Sequence, residues 1–211
     1  MSITIESFVG GPLETNAYLI HDDTTKEAIV IDAPMDVTDR ILRAVETAGL
    51  RISLIVITHP HWDHISDAAL LKERSGAPLA AHPLAVERLA KPDSLGLELP
   101  FTIRPTTADQ LLNEGDEVQL GQHRFLVMHL PGHEPSHIAL YSEADRLFFG
   151  GDVLFPNGHG RIDIPGAEPA AMQRSIARLA KLPPDVVVYP GHGQTTTIGN
   201  EDWMRGLLAG W

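Results

Sequence analysis

The sequence predicts a mixed α/β (α+β) fold in four layers, two sheets packed together with helices outside, as one domain over residues 1–211. Three observations predict it. Runs rich in β-branched residues and bounded by turn chemistry come in two series, one before residue 60 and one after residue 115. Segments of helical period lie between and after them. No linker, low-complexity tract or tandem repeat divides the chain.

In the first series, "SITIESFV" (2–9), "NAYLIH" (16–21), "EAIVID" (27–32) and "LIVIT" (54–58) read as strands. Between the third and fourth, "DVTDRILRAVETAG" (36–49) spaces Ile41, Leu42, Val45 and Ala48 along one helical face, with Gly49 as its stop. A second helix is expected over "SDAALLKERSG" (66–76), starting after Ser66 and ending at Gly76. "APLAAH" (77–82) is a short strand, and "PLAVERLA" (83–90) a third helix with proline in its first turn. The segment 91–107, "KPDSLGLELPFTIRPTT", has three prolines and no period, which marks it as a functional loop or lid. The second series follows as "DEVQLG" (116–121), "HRFLVMHL" (123–130), "HIALYSE" (137–143) and "DRLFFGGD" (145–152). A helix over 168–182, a buried strand "DVVVYP" (185–190) and a closing helix (201–208) complete the chain, with Trp203 and Trp211 expected to hold that helix on the core. Tyr141 and Tyr189 are expected to pack.

Composition excludes several function classes. The net charge is −12, from 16 basic and 28 acidic residues, so there is no overall basic surface to neutralise nucleic-acid phosphates. There is no cysteine, which removes disulfides, thiolate metal sites and cysteine nucleophiles together and leaves histidine and carboxylate as the strong metal ligands. The N-terminus "MSITIESFVG" lacks the basic and apolar regions of a signal peptide, and no apolar run approaches the ~20 residues of a membrane span. The expectation is a cytoplasmic protein acting on a small molecule, with no nucleic-acid or membrane partner; the sequence sets no oligomeric state.

The chemistry gathers where strands end. "THPHWDHISD" (58–67) places His59, His61, Asp63, His64 and Asp67 directly after a buried strand. Pro60 cannot donate to a ladder, so the strand stops near Thr58 and a loop begins. In extended backbone, residues two apart face the same way, which lets His59 and His61 meet one ion while Asp63 and His64 face a second position nearby. Three later strand ends carry the same character: His133 after Pro131-Gly132, Asp152 after Gly150-Gly151, and His192 between Gly191 and Gly193. Asp32, at the end of its strand, is a candidate to orient the histidines. Trp62 sits inside the first loop, either as a wall of the site or as packing, and His21, His82, His123 and His129 read as structural.

The order H-x-H-x-D-H, PGH, GD-x-L-F, PGHG resembles the metallo-β-lactamase superfamily over essentially the whole chain. The resemblance implies a four-layer αββα sandwich with a metal site along one edge. It implies two divalent ions, zinc first with iron or manganese as alternatives, the first on His59, His61 and His133, the second on Asp63, His64 and His192, with Asp152 bridging. Two such cations lower the pKa of a shared water and supply a bridging hydroxide near neutral pH. Asp63 and Asp152 are therefore the expected catalytic carboxylates.

"LFPNGHGRIDIPGAEP" (154–169), with Gly160-Arg161-x-Asp163, and the early "GPLETNAYLI" are similar to glyoxalase II-type (hydroxyacylglutathione hydrolase) proteins and the related persulfide dioxygenases. The full-length glyoxalase II enzymes carry an extra C-terminal helical region, so the resemblance is to short single-domain members. The motif "PGHEPSH", where that group more often reads PGHTPGS, adds Glu134 and His137 beside the PGH turn. Arg161, His159 and His137 are the candidate substrate contacts. The implied activity is hydrolysis of a thioester such as an acyl-glutathione. The alternatives are a mononuclear iron dioxygenase acting on a thiol or persulfide through His59, His133 and Asp152, a lactone or phosphodiester hydrolase, and a non-enzymatic metal sensor or scaffold on the same fold.

Overall fold

The computed structural model describes residues 3–209. By contact pattern it forms two compact units, one of residues up to Leu112 together with Gln119–Gln122, the other of Asn113–Val118 and the chain from His123 onward.

The first unit holds a six-stranded sheet in chain order: β1 (Ile3–Gly10), β2 (Thr15–Asp22), β3 (Glu27–Ile31), β4 (Arg51–Val56), β5 (Leu79–Ala81) and β6 (Gln110–Leu111). The β1 to β3 strands pair antiparallel through tight turns, whereas β3 to β6 pair parallel. A parallel pair needs a crossover, and the β3–β4 connection supplies it with α1 (Thr38–Ala48), which ends on Gly49 at φ 63° as the sequence predicts. Three more helices follow in this unit, α2 (Trp62–Ile65), α3 (Ala68–Ser75) and α4 (Val86–Ala90), the last preceded by a 3₁₀ turn at Pro83–Ala85. Leu19, Val30, Ile41, Ile55, Leu71, Leu79 and Leu89 are fully buried in one core that joins this sheet to its helices.

The second unit carries a sheet ordered β7 (Glu117–Leu120), β8 (His123–His129), β9 (Ile138–Ser142), β10 (Leu147–Gly151), β11 (Val187–Pro190), β12 (Thr196–Thr197). Here β8, β9 and β10 are antiparallel, and β10 and β11 run parallel across α5 (Pro169–Leu179). The core of this unit packs Met128, Leu130, Ala139, Tyr141 and Phe148 of the sheet against Met172, Ile176 and Leu179 of α5. Trp203 of α6 (Trp203–Ala209) packs against the same cluster, as expected; Trp211 lies outside the described residues. Tyr189 stacks on Phe149 with centroids 4.9 Å apart, and burial raises the phenol pKa of both Tyr141 and Tyr189.

Among the elements that differ from expectation are β4 and α2. The β4 strand begins at Arg51 rather than Leu54, because Ser53 gives its hydroxyl to Ala28 O at a register shift and Arg51 pairs with Glu27. Polar partners there hide the alternation that a strand normally shows. The helix α2 has no counterpart among the expected elements and is a single turn. No described helix is long and apolar enough to cross a membrane.

Candidate metal-binding site

The first unit brings His59, His61, Asp63 and His64 together. Pro60 ends the extended run, His61 stays extended (φ −66°, ψ 144°), and the chain turns at once into α2. The His59 ring centroid is 4.6 Å from that of His61 and 4.1 Å from that of His64, and all four side chains are buried. Asp67, at the end of the same stretch, faces away from this cluster. Its Oδ2 accepts Val37 N–H, Thr38 N–H and the Thr38 hydroxyl at 2.9–3.1 Å, which ties down the start of α1.

Asp32 organises this cluster. It is held at φ 59°, an uncommon conformation for a non-glycine residue and a frequent mark of functional sites. Its Oδ1 accepts Thr58 N–H at 2.8 Å, and its Oδ2 accepts both the Thr58 hydroxyl and His64 Nδ1–H, each at 2.8 Å. Because the Thr58 hydroxyl spends its proton on Asp32, the 3.0 Å contact from His59 Nδ1 makes that nitrogen the donor. One carboxylate thereby assigns the tautomer of two histidines, leaving Nε2 of each as the lone-pair nitrogen. His64 Nε2 faces Asp63 Oδ2 at 3.5 Å.

The second unit assembles His133, Asp152 and His192 by close backbone approach. A Cβ on Gly132 (φ +147°) would lie 2.4 Å from Met172 Cα, so only glycine lets the turn sit on α5. His133 Nδ1 donates to Arg161 O at 2.8 Å, which again leaves Nε2 as the lone-pair nitrogen. Gly191 N–H reaches Gly151 O at 2.7 Å and joins the two glycine turns. Asp152 Oδ2 then lies 3.4 Å from His133 Nε2 and 3.5 Å from His192 Nε2.

This donor chemistry fits a divalent cation. A neutral imidazole whose Nδ1 is a donor presents a lone pair at Nε2, and at His133 and His64 that lone pair points at a carboxylate oxygen. Acceptor faces acceptor, an arrangement that a cation between them stabilises. Neither cluster contains a thiolate, in keeping with ions that accept nitrogen and oxygen ligands.

The other candidates are placed as follows. His137 is fully buried and its Nε2 accepts Asp152 N–H at 2.9 Å, which positions the Asp152 turn. Glu134 is also buried, and its Oε2 takes Ser136 N–H and the Ser136 hydroxyl, closing the PGH turn on itself. His159 turns Nδ1 onto Gly160 O at 2.8 Å, with its ring 6.0 Å from Trp203. Arg161 and Asp163 form an exposed two-bond pair at 2.9 and 3.0 Å, which holds the guanidinium pKa up and the carboxyl pKa down. Trp62 is buried with its ring 5.9 Å from Phe101 of the 91–107 segment. His82 caps the 3₁₀ turn, His123 pairs with Asp145, His129 contacts Pro135 O, and His21 lies between Glu6 and Asp23, all structural placements. Sequence reasoning does not single out Thr58 or Thr15, whose hydroxyl donates to Asp63 Oδ2 at 2.8 Å.

A family model described as the metallo-beta-lactamase superfamily matches residues 10–192, which takes in every residue of both clusters. The chain belongs to the metallo-β-lactamase superfamily. Among its relatives in that superfamily, the hydroxyacylglutathione hydrolase GloC of Haemophilus influenzae is 32% identical over 201 residues, 89% of this chain and 90% of that protein. The hydroxyacylglutathione hydrolase of Methylobacterium nodulans is 33% identical over 174 residues, 82% of this chain but 60% of its own length. Solved structures with the same fold include the BLEG-1 B3 metallo-beta-lactamase (TM-score 0.84, 30% identity, 94% of this chain and 96% of that one). ETHE1 from Myxococcus xanthus follows at TM-score 0.81, 28% identity, 98% and 85% coverage. TTHA1623, solved in a di-iron-bound form, gives TM-score 0.79 at 37% identity, with 92% and 96% coverage. The mixed α/β superfamily fold expected from the sequence is the fold these likenesses show.

Proposed function

We propose that the protein is a metal-dependent hydrolase of acyl thioesters, with acyl-glutathione as its substrate class and two divalent ions as its cofactors. The observation that carries this reading is Asp152 Oδ2 set against two imidazole nitrogens at 3.4 and 3.5 Å, in a chain related to hydroxyacylglutathione hydrolases. Donor sets fit for an ion can be drawn from the two clusters. His59, His61 and His133 would hold one ion, Asp63, His64 and His192 the other, and Asp152 would serve both. Bound there, the ions would supply a hydroxide near neutral pH and polarise the thioester carbonyl. The protein's own part is to orient those side chains and set their ring tautomers. Asp32 and Thr58 do this for His59 and His64, the Arg161 carbonyl does it for His133, and His137 fixes the main chain of Asp152.

The test is thiol release from an acyl-glutathione by protein loaded in turn with zinc, manganese and iron. A kcat/KM of about 10,000 M⁻¹ s⁻¹ or more is expected for at least one metal. Turnover no faster than that of the metal-free protein overturns the reading. A second reading, oxygenation of a thiol or persulfide at a single iron on His59, His133 and Asp152, has on its side the structural likeness to ETHE1 from Myxococcus xanthus. Oxygen uptake by the iron-loaded protein with glutathione persulfide, and no thioester turnover, would favour it.

Asp32→Asn tests the tautomer argument. The amide NH2 must replace either Oδ1, where it meets Thr58 N–H, or Oδ2, where it meets the Thr58 hydroxyl and His64 Nδ1–H, so donor faces donor in both orientations. Metal affinity is expected to fall about 10- to 100-fold. An isothermal metal titration unchanged from wild type would show that Asp32 does not set these rings.

A further inference from the structure

We infer that Thr15 is a positioning residue that orients Asp63 toward the ion this carboxylate shares with His64, and so sets the affinity of that ion alone; the inference rests on the two-ion reading above. Thr15 is fully buried at the first position of β2, directly after the tight turn Gly11–Glu14. That turn is rigidly defined. Gly11 and Glu14 both take positive φ (67° and 53°), and Glu14 N–H closes onto Gly11 O at 3.2 Å. Gly10, which pairs with Thr15 across the hairpin, lies so near the Met35 backbone that a Cβ would fall 2.3 Å from Met35 O. The hairpin end therefore cannot drift, and neither can the residue it presents.

The side chain adds its own rigidity. Threonine is β-branched, so its χ1 is stiff and its hydroxyl points in one direction. That direction is Asp63 Oδ2, at 2.8 Å, 48 residues away in the chain. Asp63 is 7% exposed, and a carboxylate so buried is stable only where donors or cations meet it. Oδ2 receives the Thr15 hydroxyl and faces His64 Nε2 at 3.5 Å, so the Thr15 hydroxyl holds that oxygen beside the imidazole. His59 is aligned by another pair, Thr58 and Asp32. The effect of Thr15 should therefore fall on one ion and spare the other.

The test is a stepwise metal titration of wild type, Thr15→Val and Thr15→Ser, followed by calorimetry and by the visible spectrum of the cobalt-loaded protein. Valine keeps the branched shape and removes the donor; serine keeps the donor. The expected result is a loss of roughly 10- to 100-fold, by analogy with other outer partners of metal ligands, in the affinity of one ion for Thr15→Val. The other ion should keep its affinity within about threefold, and Thr15→Ser should recover most of the loss. A cobalt spectrum altered in only one site's bands, with the metal-free melting temperature near wild type, separates orientation of Asp63 from general loosening. Two ions of unchanged affinity in Thr15→Val overturn the inference alone, and so does an equal loss in Thr15→Ser. Wild-type protein that takes up one ion or none overturns the two-ion reading and the inference with it.

Discussion

Replacing Asp152 by alanine is expected to lower kcat/KM for thioester hydrolysis by about a thousandfold or more, which is ~4 kcal/mol of barrier. The expectation follows from where its carboxylate stands. Asp152 Oδ2 is 3.4 Å from His133 Nε2 and 3.5 Å from His192 Nε2, so this single oxygen lies against two imidazole nitrogens. On the proposed two-ion reading, removing it takes away the anion that would balance the bound cations. The backbone of the turn does not depend on that side chain. Asp152 N–H is held by His137 Nε2 at 2.9 Å and its carbonyl accepts Gly160 N–H at 2.9 Å. The alanine variant should therefore fold, with a melting temperature near that of metal-free wild type, while its ion content per chain drops. Asp152→Asn separates charge from shape, since the amide fills the same space and should lose nearly as much activity. A rate within tenfold of wild type for the alanine variant would remove Asp152 from the reaction and the bridged centre with it.

How much of this is legible in the sequence differs between local and distant features. Strand periodicity and β-branched runs locate β1, β2, β3, β5 and β7 to β11 to within a few residues. The short edge strands β6 and β12 are not legible: two residues each carry no period. The helix α2 escapes for the same reason, being one turn set by Pro60 before it and by the Ser66 hydroxyl on Trp62 O after it. The histidines of 59–64 can be read as ligands because they crowd together in sequence. Of their orienting partners, Asp32 is legible as an aspartate that ends its strand, whereas Thr58 and Thr15 are not, since only the fold brings Thr58 to Asp32 across 26 residues and Thr15 to Asp63 across 48. His137 shows the limit most clearly. Its position beside the PGH turn is legible, yet which way a ring points depends on the strand pairing around it, and here Nε2 points at a main-chain amide.

Gly160→Ala is the second substitution expected to have a large effect, and it acts without touching any ligand chemically. In the sequence Gly160 opens the "GRID" stretch that carries the resemblance to glyoxalase II-type proteins, with no steric role legible there. The structure gives it a steric role. A Cβ there would lie 2.2 Å from Asp152 O and 2.9 Å from the His133 ring, distances at which something must shift. The nearest atom is backbone, which cannot swing aside as a long side chain could. Relief therefore means breaking the Gly160 N–H to Asp152 O bond, or tilting the His133 ring away from the neighbouring Arg161 carbonyl. Overpacking of this kind costs about 1–3 kcal/mol, and a displacement of about 1 Å at reacting groups costs about a hundredfold in rate. The variant should thus melt several degrees lower and hydrolyse about a hundredfold more slowly, with weakened metal uptake. Gly158→Ala, two residues earlier in the same loop, provides the control. Nothing lies within 4 Å of the methyl it would add, so stability should stay within about 0.5 kcal/mol and the rate near wild type. If both alanines prove equally mild, the close approach at Gly160 does not hold Asp152 and His133 together. If both prove equally harmful, the loop as a whole rather than this contact governs the site. Only the split result, severe at 160 and silent at 158, ties activity to a space that a hydrogen atom fits and a methyl group does not.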